Sequence, residues 1–371
     1  MSLGEIDVAV LGGGPAGARC AELLAQAGRS VRLYEARDPA RAKPCGGLLN
    51  RRAQDLLAEL GGLPGSVRVG AEMPGLEFPL LEYHDLDNRI RARYRPHYRN
   101  IDRSAFDAWL IERAAAAGAE VGCGMRAAEL DWRDDGVYVR FSADWLRAQW
   151  VIDATGAAAL TRRRLQGPAV SRLHALQGAA VIDPPVEAMW AIYQTAYTPF
   201  FSWVIPKGEG VHLLGTALTR AGLRQARGRG WDLLRPLLEY LARRGCRVQL
   251  LDERPRGAQL TCPAGGAELW HGRGPLLAIG EAAGLVSPFS GEGISYALQS
   301  AEAAAFAVIG GMGAQALPEL LSRPLRRLSG AMLRARVAAW PWLRPWALWL
   351  LPLHTREPLE YLRWDTGLRA V

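Results

Sequence analysis

Short apolar runs and helix-period segments alternate through the N-terminal part of the chain, a pattern that predicts parallel strands with helices on the sheet faces. Residues 6 to 11, Ile-Asp-Val-Ala-Val-Leu, are mostly apolar and β-branched and suit a buried parallel strand. From Ala16 to Ala27 the residues Ala18, Cys20, Ala21, Leu24 and Ala25 recur near helical spacing, and Gly28 fits the position after a helix C-terminus. Ser30 to Tyr34 reads as a second strand closed by Glu35. Val151 to Gly156 and Leu276 to Ile279 read as strands that each run into a loop. The middle of the chain differs. Val181-Ile182, Phe200 to Ile205, Val211 to Leu218 and Val248 to Leu251 predict an antiparallel sheet, interrupted by a helix from about Trp231 to Arg244. From residue 311 onward the pattern is helical and broken by prolines.

The first strand and helix are joined by Gly12-Gly13-Gly14-Pro15-Ala16-Gly17, which satisfies Gly-x-Gly-x-x-Gly. Each glycine has a physical task in a dinucleotide site. Gly12 permits the tight turn, Gly14 lets the backbone approach a pyrophosphate, and Gly17 lets helix and strand pack closely. The helix N-terminus, entered through Pro15 and Ala16, offers free N–H groups and the positive end of its dipole. Glu35 stands 18 residues after Gly17, where an acid can accept hydrogen bonds from ribose hydroxyls, with Ala36 beside it. Strand, glycines, helix, strand and acid occur in order, so the segment is read as a dinucleotide site.

Composition narrows the class. Lys and Arg number 45 against 37 Asp and Glu, a formal net charge of +8, yet no basic block or nucleic-acid motif appears. The five cysteines are widely spaced with no Cys-x-x-Cys pair, so neither a zinc site nor a disulfide framework is expected, and no metal site is assigned. No secretory signal is read in the first residues, and a cytoplasmic location is expected. No uncharged apolar stretch reaches membrane-spanning length. The tail combines Arg323, Arg326, Arg327, Arg334, Arg336 and Arg344 with Trp340, Trp342, Trp346 and Trp349. Arg with Trp on an amphipathic helix suits the inner membrane surface, a partner protein, or plain packing on the body.

A second segment turns the reading towards one cofactor. Gly280-Glu281-Ala282-Ala283-Gly284 is followed by Pro288 and by Gly291-Glu292-Gly293-Ile294, with a helix predicted from near Gly291 through Ala305. It resembles the Gly-Asp-Ala-Ala-Gly…Pro…Gly-Glu-Gly-Ile signature of the para-hydroxybenzoate-hydroxylase-like flavoproteins, with Glu281 in place of the aspartate. The resemblance implies FAD, with Glu281 at its ribityl chain and the following glycines against the isoalloxazine ring. Lys43-Pro44-Cys45-Gly46-Gly47 resembles the Pro-Cys-Gly-Gly run of the geranylgeranyl-reductase and CbrA-type branch, which lies beside the flavin there. Residues 98 to 110 resemble that branch's Arg-x-x-Phe-Asp helix start, so Arg103 is expected to face the cofactor. Asp153-Ala154-Thr155-Gly156 is similar to the superfamily's strand near the pyrophosphate. Phe201-Ser202-Trp203-Val204-Ile205-Pro206 resembles the aromatic strand of geranylgeranyl reductases and is similar to a run in flavin-dependent halogenases.

The expected architecture is α/β, with a discontinuous Rossmann-like FAD-binding domain, an antiparallel-sheet substrate domain and a helical C-terminal segment. The first takes residues 1–70, 98–165 and 265–310, the second 71–97 and 166–264, the third 311–371. No second dinucleotide motif is present for NAD(P)H, so NAD(P)H or another reductant is expected to act as a passing electron donor. Cys45 and Trp203 are the candidate catalytic or substrate-pocket residues. The expected function is an FAD-dependent oxidoreductase that hydroxylates an aromatic or hydrophobic substrate, or a residue of a partner protein. Reduction of alkene bonds in prenyl lipids and a non-catalytic FAD-binding role in assembly or sensing are the alternatives.

Overall fold

The computed structural model describes residues 2–38, 43–70, 72–226, 228–349 and 360–362. The chain divides into two units. The first comprises Met1–Ala42, Arg103–Ser171 and Thr261–Met332; the second comprises Lys43–Asp102, Arg172–Leu260 and Leu333–Val371.

The first unit is a Rossmann-like sheet. Ser2–Leu11 lies at its centre, parallel to Val31–Glu35 on one side and to Asp144–Asp153 on the other. Glu120–Cys123 extends the first side and Leu276–Ala278 the second, both parallel. The strand order therefore reverses at the central strand, and open α/β sheets hold ligands at the C-terminal end of such a switch point. Asp144–Asp153 also pairs, over its first half, with the antiparallel strand Gly136–Phe141. The apolar residues that marked these strands are the core: Ala9, Leu11, Val151 and Leu276 are fully or almost fully buried in one cluster. Helix Pro15–Gln26 packs on Ile294–Ile309 and Arg103–Ala116.

The second unit is built on a broad sheet, ordered Arg247–Leu250, Arg172–Asp183, Val211–Leu218, Ser202–Gly208, Met189–Tyr193, Leu81–Asp85 and Ile90–Tyr94. Its neighbours are antiparallel apart from Met189–Tyr193 with Leu81–Asp85, which run parallel. One face is closed by helix Arg235–Arg243, whose Leu237, Tyr240 and Leu241 pack on Trp190, Ile192, Val204 and Leu214. The helix is shorter than the Trp231 to Arg244 expected, because Gly230–Leu234 winds as a tighter 3₁₀ turn ahead of Pro236.

The boundaries move from those read in sequence. Residues 43–70 and 98–102 group with the second unit, because Leu48–Leu49 pairs with Arg99–Asn100 and the Asn100 side chain donates to the Pro206 carbonyl at 2.8 Å. The C-terminal segment is not wholly helical. Helices Ser322–Ala338 and Arg344–Trp349 are followed by the strand Glu360–Leu362, antiparallel to Ile90–Tyr94. The side chain of Trp349 lies outside the described residues.

Arg344, read in sequence as part of an amphipathic Arg/Trp face, is buried. Its guanidinium donates to Asp85 at 2.9 Å, Asp87 at 2.8 Å and the Thr195 hydroxyl at 2.6 Å, while its Nε donates to the Ala338 carbonyl at 2.9 Å. Burial pushes the Asp85 carboxyl up, opposed by Asn88 and the Arg344 charge. Removing the cation would leave a buried carboxylate short of its main counter-charge. Arg344→Met is therefore expected to destabilise this unit by about 3–5 kcal/mol in urea unfolding. A loss below about 1 kcal/mol would show that the cluster holds nothing in place.

Candidate functional site

In the first unit the glycine loop follows the end of the central strand. Gly12 has φ +108°, and a Cβ there would lie 2.3 Å from the Ala154 carbonyl oxygen. A Cβ on Gly17 would lie 1.9 Å from the Gly12 carbonyl oxygen. Both positions are closed by the protein's own backbone. Gly14 is different: a Cβ there would meet nothing within 4 Å. It is the N-cap of helix Pro15–Gln26, and as a glycine it offers no side-chain cap to the first-turn N–H groups. That combination suits the approach of a phosphate.

Glu35 ends the second strand, nearly buried, and reaches back to this loop. Its Oε2 accepts from the Gly13 N–H at 2.8 Å and its Oε1 from the Arg37 N–H at 3.1 Å. Ala36 occupies the bend that follows. The carboxylate thus stands across the loop from the helix terminus, where a ribose would follow the pyrophosphate.

The other motifs converge here. Gly280, at φ +56°, lies so close to Ala16 that an added Cβ would be 2.9 Å from the alanine methyl. Its N–H is held by the Ser300 hydroxyl at 2.9 Å. Glu281 Oε1 accepts from the Thr261 N–H at 2.9 Å, and its Oε2 would lie 3.4 Å from a Cβ on Gly156. Burial, with the Glu281 charge adding to it, pushes the adjoining Cys262 thiol up to about 12. That cysteine is an unreactive neighbour.

The helix expected from Gly291 begins instead at Ile294. Gly291 has φ +70°, and its N–H closes a turn onto the Ser287 carbonyl beside Pro288. Gly293 is the N-cap, and the Glu292 carboxylate takes the Ser295 N–H at 2.7 Å. Arg103 opens helix Arg103–Ala116 and is buried in a bidentate pair with Asp107 at 2.8 and 3.0 Å.

Asp153 was missed as a structural hub. It is fully buried, and its two oxygens accept from the N–H and hydroxyl of Thr155 and of Thr161, at 2.6 to 3.1 Å. It fixes the loop through Gly156 that abuts Gly12. Asp-x-Thr followed by a threonine eight residues on was the available signal.

The second unit holds Cys45, Gly46, Gly47 and Trp203. Cys45 and Trp203 are brought together by Gln177. The Trp203 indole N–H donates to the Gln177 Oε1 at 2.9 Å, and Gln177 Nε2 donates to the Cys45 carbonyl at 3.2 Å. Gly46 and Gly47 have no room for side chains: an added Cβ would fall 2.5 Å from Ile205 Cδ1 and 2.3 Å from the Ile101 carbonyl oxygen, respectively. Lys207 was also missed. Its Nζ lies over Gly47, 2.9 Å from where a Cβ would be, and donates to Asn100 Oδ1 at 2.5 Å and to the Ile101 carbonyl at 3.2 Å. Burial pulls the ammonium down to about 8, against the pull of Cys45 and Asp102 in the other direction. A lysine ending the apolar run Trp-Val-Ile-Pro was the sequence signal. Among the described residues, no group of three His, Cys, Asp or Glu could hold a metal ion.

Residues 5–208 match the FAD binding domain family. The chain belongs to that family. It is an FAD-dependent oxidoreductase related to the CbrA proteins. It is 29% identical over 361 residues to Protein CbrA of Escherichia coli O1:K1 / APEC, covering 93% of each chain. Its fold is similar to the crystal structure of a geranylgeranyl bacteriochlorophyll reductase-like protein from Thermoplasma acidophilum, with TM-score 0.75, 22% identity and coverage of 90% and 87%. It is similar also to CmlS, a flavin-dependent halogenase, with TM-score 0.67, 20% identity and coverage of 89% and 63%. The open backbone at Gly14, the uncapped helix terminus and Glu35 fit the FAD pyrophosphate and ribose.

Two consequences can be measured. Gly14→Ala is expected to leave the unfolding midpoint of the cofactor-free protein unchanged while weakening FAD binding by about a hundredfold or more in a fluorescence titration. Gly17→Ala should instead destabilise the cofactor-free protein. Equal behaviour of the two variants would refute the division of roles. The second consequence concerns Lys207. Its folded pKa near 8 lies below that of the unfolded chain, so burying it costs stability below pH 8, and that cost is relieved as pH rises to about 10. Wild type should therefore gain stability relative to Lys207→Met across that interval. A constant difference would place Lys207 in water.

Proposed function

We propose that this FAD-dependent oxidoreductase hydroxylates an aromatic or hydrophobic substrate with reduced flavin and molecular oxygen. The observation that supports this reading is a row of aromatic rings in the second unit. Tyr83 stacks on Tyr193 at 5.9 Å, Tyr193 meets Phe201 at 5.6 Å, and Phe201 meets Trp203 at 6.2 Å. Tyr83 also meets Tyr94 edge-on at 5.2 Å. The row ends in the polar groups of Gln177, Lys207 and the Cys45 loop. Tyr83, Tyr193 and Phe201 are buried and Trp203 is half-buried, so a substrate would meet the row at Trp203 and the polar groups beside it; small-molecule sites combine apolar side chains with a few directed polar groups in this way.

When bound, FAD supplies the two-electron chemistry, and NAD(P)H or another reductant supplies the electrons. This chain's residues would position the substrate and handle a proton. Trp203, held by Gln177, orients the substrate ring by stacking. Lys207 directs two of its Nζ hydrogens at Asn100 and Ile101, and the remaining one can be exchanged with a substrate hydroxyl. A group with a pKa near 8 gives and takes protons readily at working pH. A phenol-type substrate, which becomes more electron-rich on losing its proton, would use that exchange.

Reduction of alkene bonds in prenyl lipids is a second reading. The Pro-Cys-Gly-Gly loop at residues 44–47 and the fold likeness to the reductase-like protein favour it. One experiment separates the two. The reduced protein is supplied with ¹⁸O₂ and a panel of phenols and indoles, or, without oxygen, with polyprenyl substrates. Label in an aromatic product is expected. Hydrogen peroxide as the sole oxygen product, together with saturation of a prenyl double bond, would overturn hydroxylation in favour of reduction. FAD retained with neither outcome would favour a non-catalytic binding role.

A further inference from the structure

The C-terminal part of the second unit presents a surface that the flavin chemistry does not use. Its backbone is held from below. Arg344 ties the Ala338 carbonyl to Asp85, Asp87 and Thr195, and the Asn88 side chain donates to the Pro341 carbonyl at 2.7 Å. The indoles of the same stretch are exposed. Trp340, Trp342 and Trp346 are 60%, 66% and 62% exposed, and Leu333 is 61% exposed. Four large apolar side chains exposed within fourteen residues of chain are the kind of feature that marks an interaction site.

Charge indicates what would cover them. The sequence contains no acidic residue between Glu319 and Glu357, and Arg336 is exposed beside the indoles. A protein partner usually presents both signs of charge, whereas a bilayer with anionic headgroups presents one. Indoles prefer the headgroup level of a membrane, and arginines pair with its phosphates. Among the described residues no helix is long and apolar enough to cross a membrane, so contact would be made from the surface. We propose that residues 333–346 dock this protein on an anionic lipid bilayer, with the three indoles entering the headgroup region and Arg336 meeting lipid phosphates. This surface is independent of the flavin reading and would stand if that reading failed.

The test is flotation of the full-length protein with phosphatidylcholine vesicles, with and without phosphatidylglycerol, with tryptophan emission recorded in parallel. Binding is expected only when phosphatidylglycerol is present, with a blue shift in emission and weakening as salt is raised. The combined variant Trp340→Ser, Trp342→Ser and Trp346→Ser should lose binding by about tenfold or more while keeping its circular dichroism and FAD content. Arg336→Gln should weaken binding by about fivefold. Absence of binding to anionic vesicles, or unchanged binding by the folded triple variant, would overturn the proposal. So would a self-association in ultracentrifugation that the triple variant abolishes in a protein that ignores vesicles, because the surface would then belong to a second copy.

Discussion

Three backbone segments of the first unit meet at distances that no side chain could occupy. The Gly12 carbonyl, the Gly17 α-carbon and the carbonyl of Ala154 lie so close that only glycine serves at positions 12 and 17. This contact sets the angle at which helix Pro15–Gln26 leaves the sheet, and so where its uncapped N-terminus points. Glu35 reaches back across the turn to Gly13. Gly280 must in turn be glycine because Ala16 stands against it. Asp153 holds the third segment by gathering four donors from Thr155 and Thr161 in the dry interior. A buried carboxylate so fully satisfied gives a rigid loop, since moving either threonine would strand a charge.

The second unit solves the reverse problem. Its sheet carries polar groups among aromatic rings, where each must find a partner. Gln177 spends its oxygen on the Trp203 indole and its nitrogen on the Cys45 carbonyl. Asn100, fully buried, donates to the Leu76 and Pro206 carbonyls and accepts from Lys207. Such networks fix side chains more firmly than packing alone, because any alternative arrangement leaves a polar group unpaired. The result is a small set of directed donors at the end of an apolar row.

What could be read from the sequence followed from how local each signal was. The strand, glycine loop, helix, strand and acid of residues 6 to 35 lie in one continuous stretch, and each is constrained by backbone geometry that only certain residues allow. The family resemblance at Gly280 to Ile294 added the second half of the cofactor site. The helix there starts three residues later than Gly291, because the left-handed conformation at Gly291 belongs to a turn closed on Ser287. Long-range pairing was not legible. Nothing in Leu81–Asp85 announces a parallel partner in Met189–Tyr193, and the short pair Leu48–Leu49 with Arg99–Asn100 carries residues 43–70 into the second unit. Arg344 looked like surface charge among tryptophans, and only its partners on distant strands reveal it as an interior anchor. Gln177 was invisible for the same reason.

Every role given to the first unit follows from its holding one cofactor. The most direct measurement is chromatographic identification of the small molecule released when the purified protein, reconstituted with a mixture of FAD, FMN and NAD, is heat-denatured. FAD, in an amount equal to the protein, is the predicted result. Release of NAD or FMN in its place, or of no nucleotide at all, would contradict the account at its foundation.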